Sequence, residues 1–128
     1  MGSEMCIRDR PTYFLAAKED HIAPAASVFR GALLFGGAVR YVLAGSGHIA
    51  GVVNPPVKNK YFYHTGERPF GTLQDWTAQS VKKSGSWWPD WMTWLDAPDA
   101  GRVTSRTPGG GRLPMLGDAP GEYVRVKS

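Results

Sequence analysis

The sequence is poor in several things that would have named a class of protein at once. It has one cysteine, Cys6, among 128 residues, so neither an internal disulfide nor a cysteine metal cluster can form. That is compatible with a reducing compartment. No apolar run approaches the roughly 20 residues a membrane span needs. The opening MGSEMCIRDR lacks the apolar stretch of a signal peptide. Lys and Arg are dispersed, so a formal net charge of +4 forms no stripe that would track a nucleic-acid backbone. The charge is that of a solvated surface, with at most a mild bias towards an anionic substrate such as a CoA thioester. His21, His48 and His64 show no zinc-ligand spacing, and no internal repeat is visible.

What is present suffices for one small domain. Residues 1–10 change character abruptly at Pro11 and read as an adapter-like, non-native leader. TYFLAA (12–17) is a short apolar run between Pro11 and the charged Lys18-Glu19-Asp20, which favours a buried strand. Pro24 suits the first turn of a helix, and Ala25, Val28, Phe29, Ala32, Leu33 and Phe35 recur at helical spacing. A helix over 24–35 then ends at Gly36-Gly37. VRYVLA (39–44) is a second strand, broken by Gly45-Ser46-Gly47 just before His48.

Strand, helix and strand with short connections make a parallel crossover. Both strands then point the same way, and the loops after them open on one edge of the sheet. Asp20 follows the first strand and His48 the second, so 28 residues of separation collapse to one edge. An imidazole can take a proton near neutral pH, and a carboxylate can hold its tautomer and stabilise its cation. Gly45 and Gly47 are expected to supply the sharp turn before His48. The pair reads as the acid and base of a nucleophilic triad, with His21 as a possible support beside the acid. Each residue alone is more often a structural turn or cap residue, and it is the pairing at one edge that favours the catalytic reading.

The stretch from Gly51 to Thr72 reads as a polar, turn-rich connection, and Pro55-Pro56 exclude helix there. Thr72 can cap a helix over 73–81. Ser86 can cap a further helix with Pro89 in its first turn. Trp87, Trp88, Trp91, Trp94 and Leu95 lie on one face of that helix, suited to packing against the sheet. Residues 97–128 are rich in Gly and Pro and read as an extension, with a short strand at Tyr123–Val126. Cys6 is not the nucleophile. That role in an α/β-hydrolase needs a strand, an elbow of the form G-x-[SC]-x-G and a helix, and SEMCIRDR has no such glycines.

LAAKEDHIAP, SGHIAGVVNPPVKNKYFY, GSWWPDWMTWL and GRLPMLGDAPGEYVRVK resemble the C-terminal part of bacterial polyhydroxyalkanoate synthases, particularly those of class I. The resemblance runs from about Pro11 to Lys127. It implies an α/β fold: the C-terminal portion of an α/β-hydrolase domain over 11–96, with 97–128 as its extension. It implies an acyltransferase that polymerises 3-hydroxyacyl-CoA into polyester with release of CoA through a Cys-Asp-His triad. Asp20 would be the acid in EDHI and His48 the base in SGHIAG, with His21 following the acid. The cysteine belongs to an upstream box that nothing here matches, so these residues alone would be inactive. The resemblance implies no cofactor besides the CoA of the substrate and no metal. It implies a homodimer at polyester granules in the bacterial cytoplasm, without nucleic acid or a membrane span. Ala25 departs from the pattern, standing where a tryptophan is expected after the proline. A serine esterase or depolymerase of the same fold, and a non-catalytic granule-associating module, are the alternatives.

Overall fold

A computed structural model describes residues 9–66, 68–98 and 101–126. Cys6 and most of the leader-like stretch lie outside the described residues. The chain divides into two units, Met1–Pro98 and Asp99–Ser128.

The first unit is built on a four-stranded mixed sheet in the order β1-β2-β3-β4. β1 (Thr12–Ala17) and β2 (Val39–Ala44) are parallel and in step from Thr12↔Val39 to Ala17↔Ala44. Helix α1 (Ala25–Ala32) connects them. The strand-helix-strand unit expected from the pattern is thus present. α1 is shorter than 24–35: Pro24 is its N-cap, and Leu33 to Phe35 continue only as single turns before the glycine pair.

Two strands went unread in the sequence. β3 (Phe62–Gly66) runs antiparallel to β2, and β4 (Val81–Ser84) antiparallel to β3. β3 does alternate, with Tyr63 and Thr65 buried between half-buried neighbours. The prolines and polar residues before it mask that signal. β4 is VKKS, exposed throughout, and forms by extending the ladder at an edge that its lysines keep polar. Helix α2 therefore stops earlier than expected, at Leu73–Gln79, and Val81 opens β4. Thr72 caps α2 in a capping box with Asp75.

Side chains alternate across the sheet, and each face is covered by a different part of the chain. Phe14, Ala16, Tyr41 and Leu43 pack with Phe29 and Ala32 of α1 and Trp76 of α2. Tyr41 meets Phe29 and Trp76 edge-on at 5.2 and 4.9 Å. On the other face, helix α3 (Trp88–Asp96) lies against β1, with Tyr13 5.5 Å from Trp94. The tryptophan face thus packs on the sheet, its four indoles half-buried. Ser86 is not the N-cap of α3, which is Trp87, although its hydroxyl accepts the Trp88 N–H at 3.2 Å.

In the second unit, Tyr123–Arg125 form one 3-10 turn instead of the expected strand. The described residues there are almost all exposed, and among them there is no strand.

Candidate active site

β1 and β2 end level, and backbone hydrogen bonds tie the loops that leave them. Lys18 N donates to Ala44 O at 2.8 Å and Glu19 N to Ser46 O at 3.0 Å. The residues that follow are brought together: His48 Nδ1 lies 2.7 Å from Asp20 Oδ2. Asp20 Oδ1 accepts the backbone N–H groups of Ile22 and Ala23 at 2.8 and 2.9 Å. The carboxylate is therefore held on both oxygens.

The Ala23 N–H is the main influence that lowers the Asp20 pKa below its ordinary value. Burial opposes it, and the His48 and Ile22 hydrogen bonds reinforce it. An ionised carboxylate only accepts, so in the neutral ring the His48 proton sits on Nδ1, which leaves the Nε2 lone pair free. The Asp20 side chain is 5% exposed and that of His48 is 44% exposed. The acid is shielded while the ring that would move protons is open. The arrangement can perform general base chemistry on a group brought to Nε2.

The sequence misplaced the source of the turn. Neither Gly45 nor Gly47 has a positive φ; Ser46 does, at 71°. Gly45 instead lies under the Phe62 ring, which a Cβ would approach to 3.0 Å. Gly51 matters more. A Cβ there would come within 2.6 Å of Gly45 O and 2.8 Å of Gly47 O, against backbone that cannot swing away.

His21 is not joined to the pair. It is exposed in the same turn and, among the described residues, makes no hydrogen bond with Asp20 or His48. His64 Nδ1 lies 2.9 Å from Ser80 Oγ, but that hydroxyl donates to Thr77 O at 2.7 Å and closes the end of α2. Burial lowers the His64 pKa, with Lys82 and Lys18 adding to the effect. No group of three or more potential metal ligands occurs among the described residues. No helix among them is long and apolar enough to cross a membrane.

A second polar cluster lies on the α3 face. Asp90 accepts from Tyr13 at 3.0 Å and from Arg40 at 2.9 and 2.5 Å. Tyr13 and Arg40 are register partners across β1 and β2, so only the pairing of the strands brings them to one carboxylate. Burial pushes the Asp90 pKa up, and the bonds from Arg40 and Tyr13 more than offset that. A cavity of about 510 Å³ lies beside this cluster and includes neither Asp20 nor His48 in its lining. The bidentate guanidinium engages both carboxylate oxygens, which makes Asp90 a tie between α3 and the sheet.

No family model matches the chain. The chain is 53% identical, over 92% of its length, to the poly(3-hydroxyalkanoate) polymerase subunit PhaC of Rhizobium meliloti. It is 56% identical, over 92% of its length, to the poly(3-hydroxyalkanoate) polymerase of Methylorubrum extorquens. This is polymerase-like sequence almost throughout. With the polymerase subunit PhaC of Cupriavidus necator the identity is 42% over 94% of the chain. The chain spans only about a fifth of the length of these polymerases: 19%, 20% and 20% respectively. The motif-level resemblance to the polyhydroxyalkanoate synthases therefore extends over nearly all of these residues.

Proposed function

We propose that the chain is the C-terminal segment of a class I polyhydroxyalkanoate synthase and the late part of an α/β-hydrolase domain. Asp20 and His48 supply the acid and base of a Cys-Asp-His triad whose cysteine lies outside these residues. The observation that carries this is the 2.7 Å contact of His48 Nδ1 with Asp20 at the ends of two parallel strands. It occurs within sequence that is 53% identical to a polymerase.

In the reaction, His48 Nε2 removes the proton from the cysteine thiol. The thiolate attacks the thioester carbonyl of a 3-hydroxyacyl-CoA. The carbonyl carbon–sulfur bond to CoA breaks, and the CoA thiolate takes the proton back from the imidazolium. Asp20 stabilises that imidazolium and keeps Nδ1 protonated. A 3-hydroxyl, giving its proton to His48 or Asp20, then attacks the carbonyl of an acyl group held on the cysteine. The carbon–sulfur bond to the cysteine breaks, the cysteine sulfur takes up the proton, and the new ester bond lengthens the polyester. The reaction uses no cofactor beyond the CoA of the substrate and no metal. The parent acts as a homodimer at the polyester granule surface in the bacterial cytoplasm. These residues alone do not turn over.

The degree of identity to polymerases favours this over a serine esterase or depolymerase. The packing of Trp94 on Tyr13 takes part of the α3 face away from a granule-binding role. A hybrid tests the proposal, with residues 11–126 replacing the matching stretch of the Rhizobium meliloti polymerase. We expect it to release CoA from 3-hydroxyacyl-CoA and to form polymer. A folded hybrid that hydrolyses esters but builds no polymer would contradict the proposal.

A further inference from the structure

Two segments singled out in the sequence, SGHIAGVVNPP and GSWWPDW, contribute only His48 to the Asp20–His48 pair. The structure joins them to each other. Residues 47–53 form a helical turn in which Gly51 N donates to Gly47 O and Val53 N to Ile49 O, both at 2.8 Å. His48 stands at the start of that turn and Val52 near its end. Just past that turn, Asn54 N donates to Val52 O at 3.0 Å. The Val52 carbonyl accepts two indole N–H groups, from Trp87 Nε1 at 3.1 Å and Trp88 Nε1 at 3.0 Å. With the Asn54 N–H, three donors converge on the two lone pairs of this carbonyl and share them, and two of the three come from the indoles.

The contact continues beyond Val52. The Ser86 hydroxyl donates to Asn54 O, and Ser86 N donates to Asn59 Oδ1 at 2.9 Å. The Trp87 ring also lies 6.1 Å from Tyr13 of β1, the strand that leads to Asp20. Trp87 thus touches the support of the acid and the turn of the base at once. Apolar packing alone would be met by phenylalanine, which has no N–H to aim.

We infer that Trp87 and Trp88 are positioning residues for His48: their N–H groups hold the Val52 carbonyl and so fix the turn in which His48 Nδ1 reaches Asp20. This rests on the proposed role of the Asp20–His48 pair and deepens it.

The test replaces both tryptophans with β-(3-benzothienyl)alanine in the 128-residue chain. That analogue keeps the bicyclic shape and exchanges the N–H for sulfur. The imidazole 15N shifts of labelled histidine report the tautomer at His48, and His64, bonded to Ser80, serves as internal reference. In the doubly substituted chain we expect the His48 preference for the Nδ1–H tautomer to fall about fivefold, the worth of one ordinary hydrogen bond. His64 should not change, and each single analogue should give a smaller shift at His48 alone. An unchanged His48, or equal shifts at both histidines, would overturn the positioning role. Asp20→Asn separates the two readings. If it leaves the His48 shifts of the unsubstituted chain unaltered, the acid–base pair itself fails, whatever the tryptophans do.

Discussion

At the scale of single residues, two carboxylates are held ionised for different ends. Asp20 is gripped by backbone N–H groups and by a histidine that stays open to solvent. Asp90 is held by a guanidinium and a phenol that tie α3 to the sheet. Both pKa values lie below the ordinary 3.8. The sign follows from linkage. Stability from a lowered carboxyl pKa is present above the unfolded value and is lost as pH falls through the folded one. Arg40→Ala would leave the buried Asp90 carboxylate with the Tyr13 hydroxyl at 3.0 Å and the part-exposed Lys83 ammonium at 4.0 Å. We expect a loss of about 1–3 kcal/mol near neutral pH, towards the lower end because solvent screens the part-exposed Arg40. The deficit should shrink below about pH 4, where the carboxyl of the unfolded chain takes up a proton. Urea midpoints at pH 7 and pH 3.5 check both parts, and a deficit that grows in acid would refute the assignment. Asp90 was not legible in the sequence, because its partners Tyr13 and Arg40 lie far from it along the chain. Asp20 and His48 were legible because each directly follows a recognisable strand.

At the scale of elements, the parts that could be read were those with a strong local period. β1 and β2 are short apolar runs with clear stops, and α1 buries Ala25, Phe29 and Ala32 on one stripe. β4 has no such period, because an exposed edge strand takes its form from the strand beside it. The His48 turn was credited to the wrong residues for a related reason. Glycine beside a histidine suggests backbone freedom, yet Ser46 carries the left-handed φ and Gly51 the lack of room. Gly51→Ala should therefore destabilise the chain by about 1–3 kcal/mol, since its Cβ meets two carbonyl oxygens. Gly31→Ala, in α1 with nothing within 4 Å of the added atom, should stabilise it by about 0.5–1 kcal/mol. Thermal melts of the two variants check the pair, and a Gly51→Ala chain as stable as the parent would show that the turn has another shape.

At the scale of the whole molecule, the sheet gathers groups from distant parts of the chain, and each of its faces has a distinct task. One face packs α1 and α2 into the apolar core, and the other receives α3 through Asp90 and Tyr13. The edge where β1 and β2 end carries Asp20 and His48, and the start of α3 reaches back to that edge through Trp87 and Trp88. The resemblance was legible because its motifs are long, and the structure supplies the physical link between two of them. The chain matches about a fifth of the polymerases it resembles, 19% in the Rhizobium meliloti case. The proposed chemistry is therefore measured in the hybrid polymerase, with the isolated chain as a control expected to release no CoA. The decisive variant is His48→Gln, which keeps a polar side chain at the turn and removes the base. The account predicts that the first burst of CoA, which reports acyl transfer to the cysteine, slows about 10²–10⁴-fold while the hybrid stays folded. A burst within about threefold of the unsubstituted hybrid, well short of the loss a general base should cause, would contradict the assignment of His48.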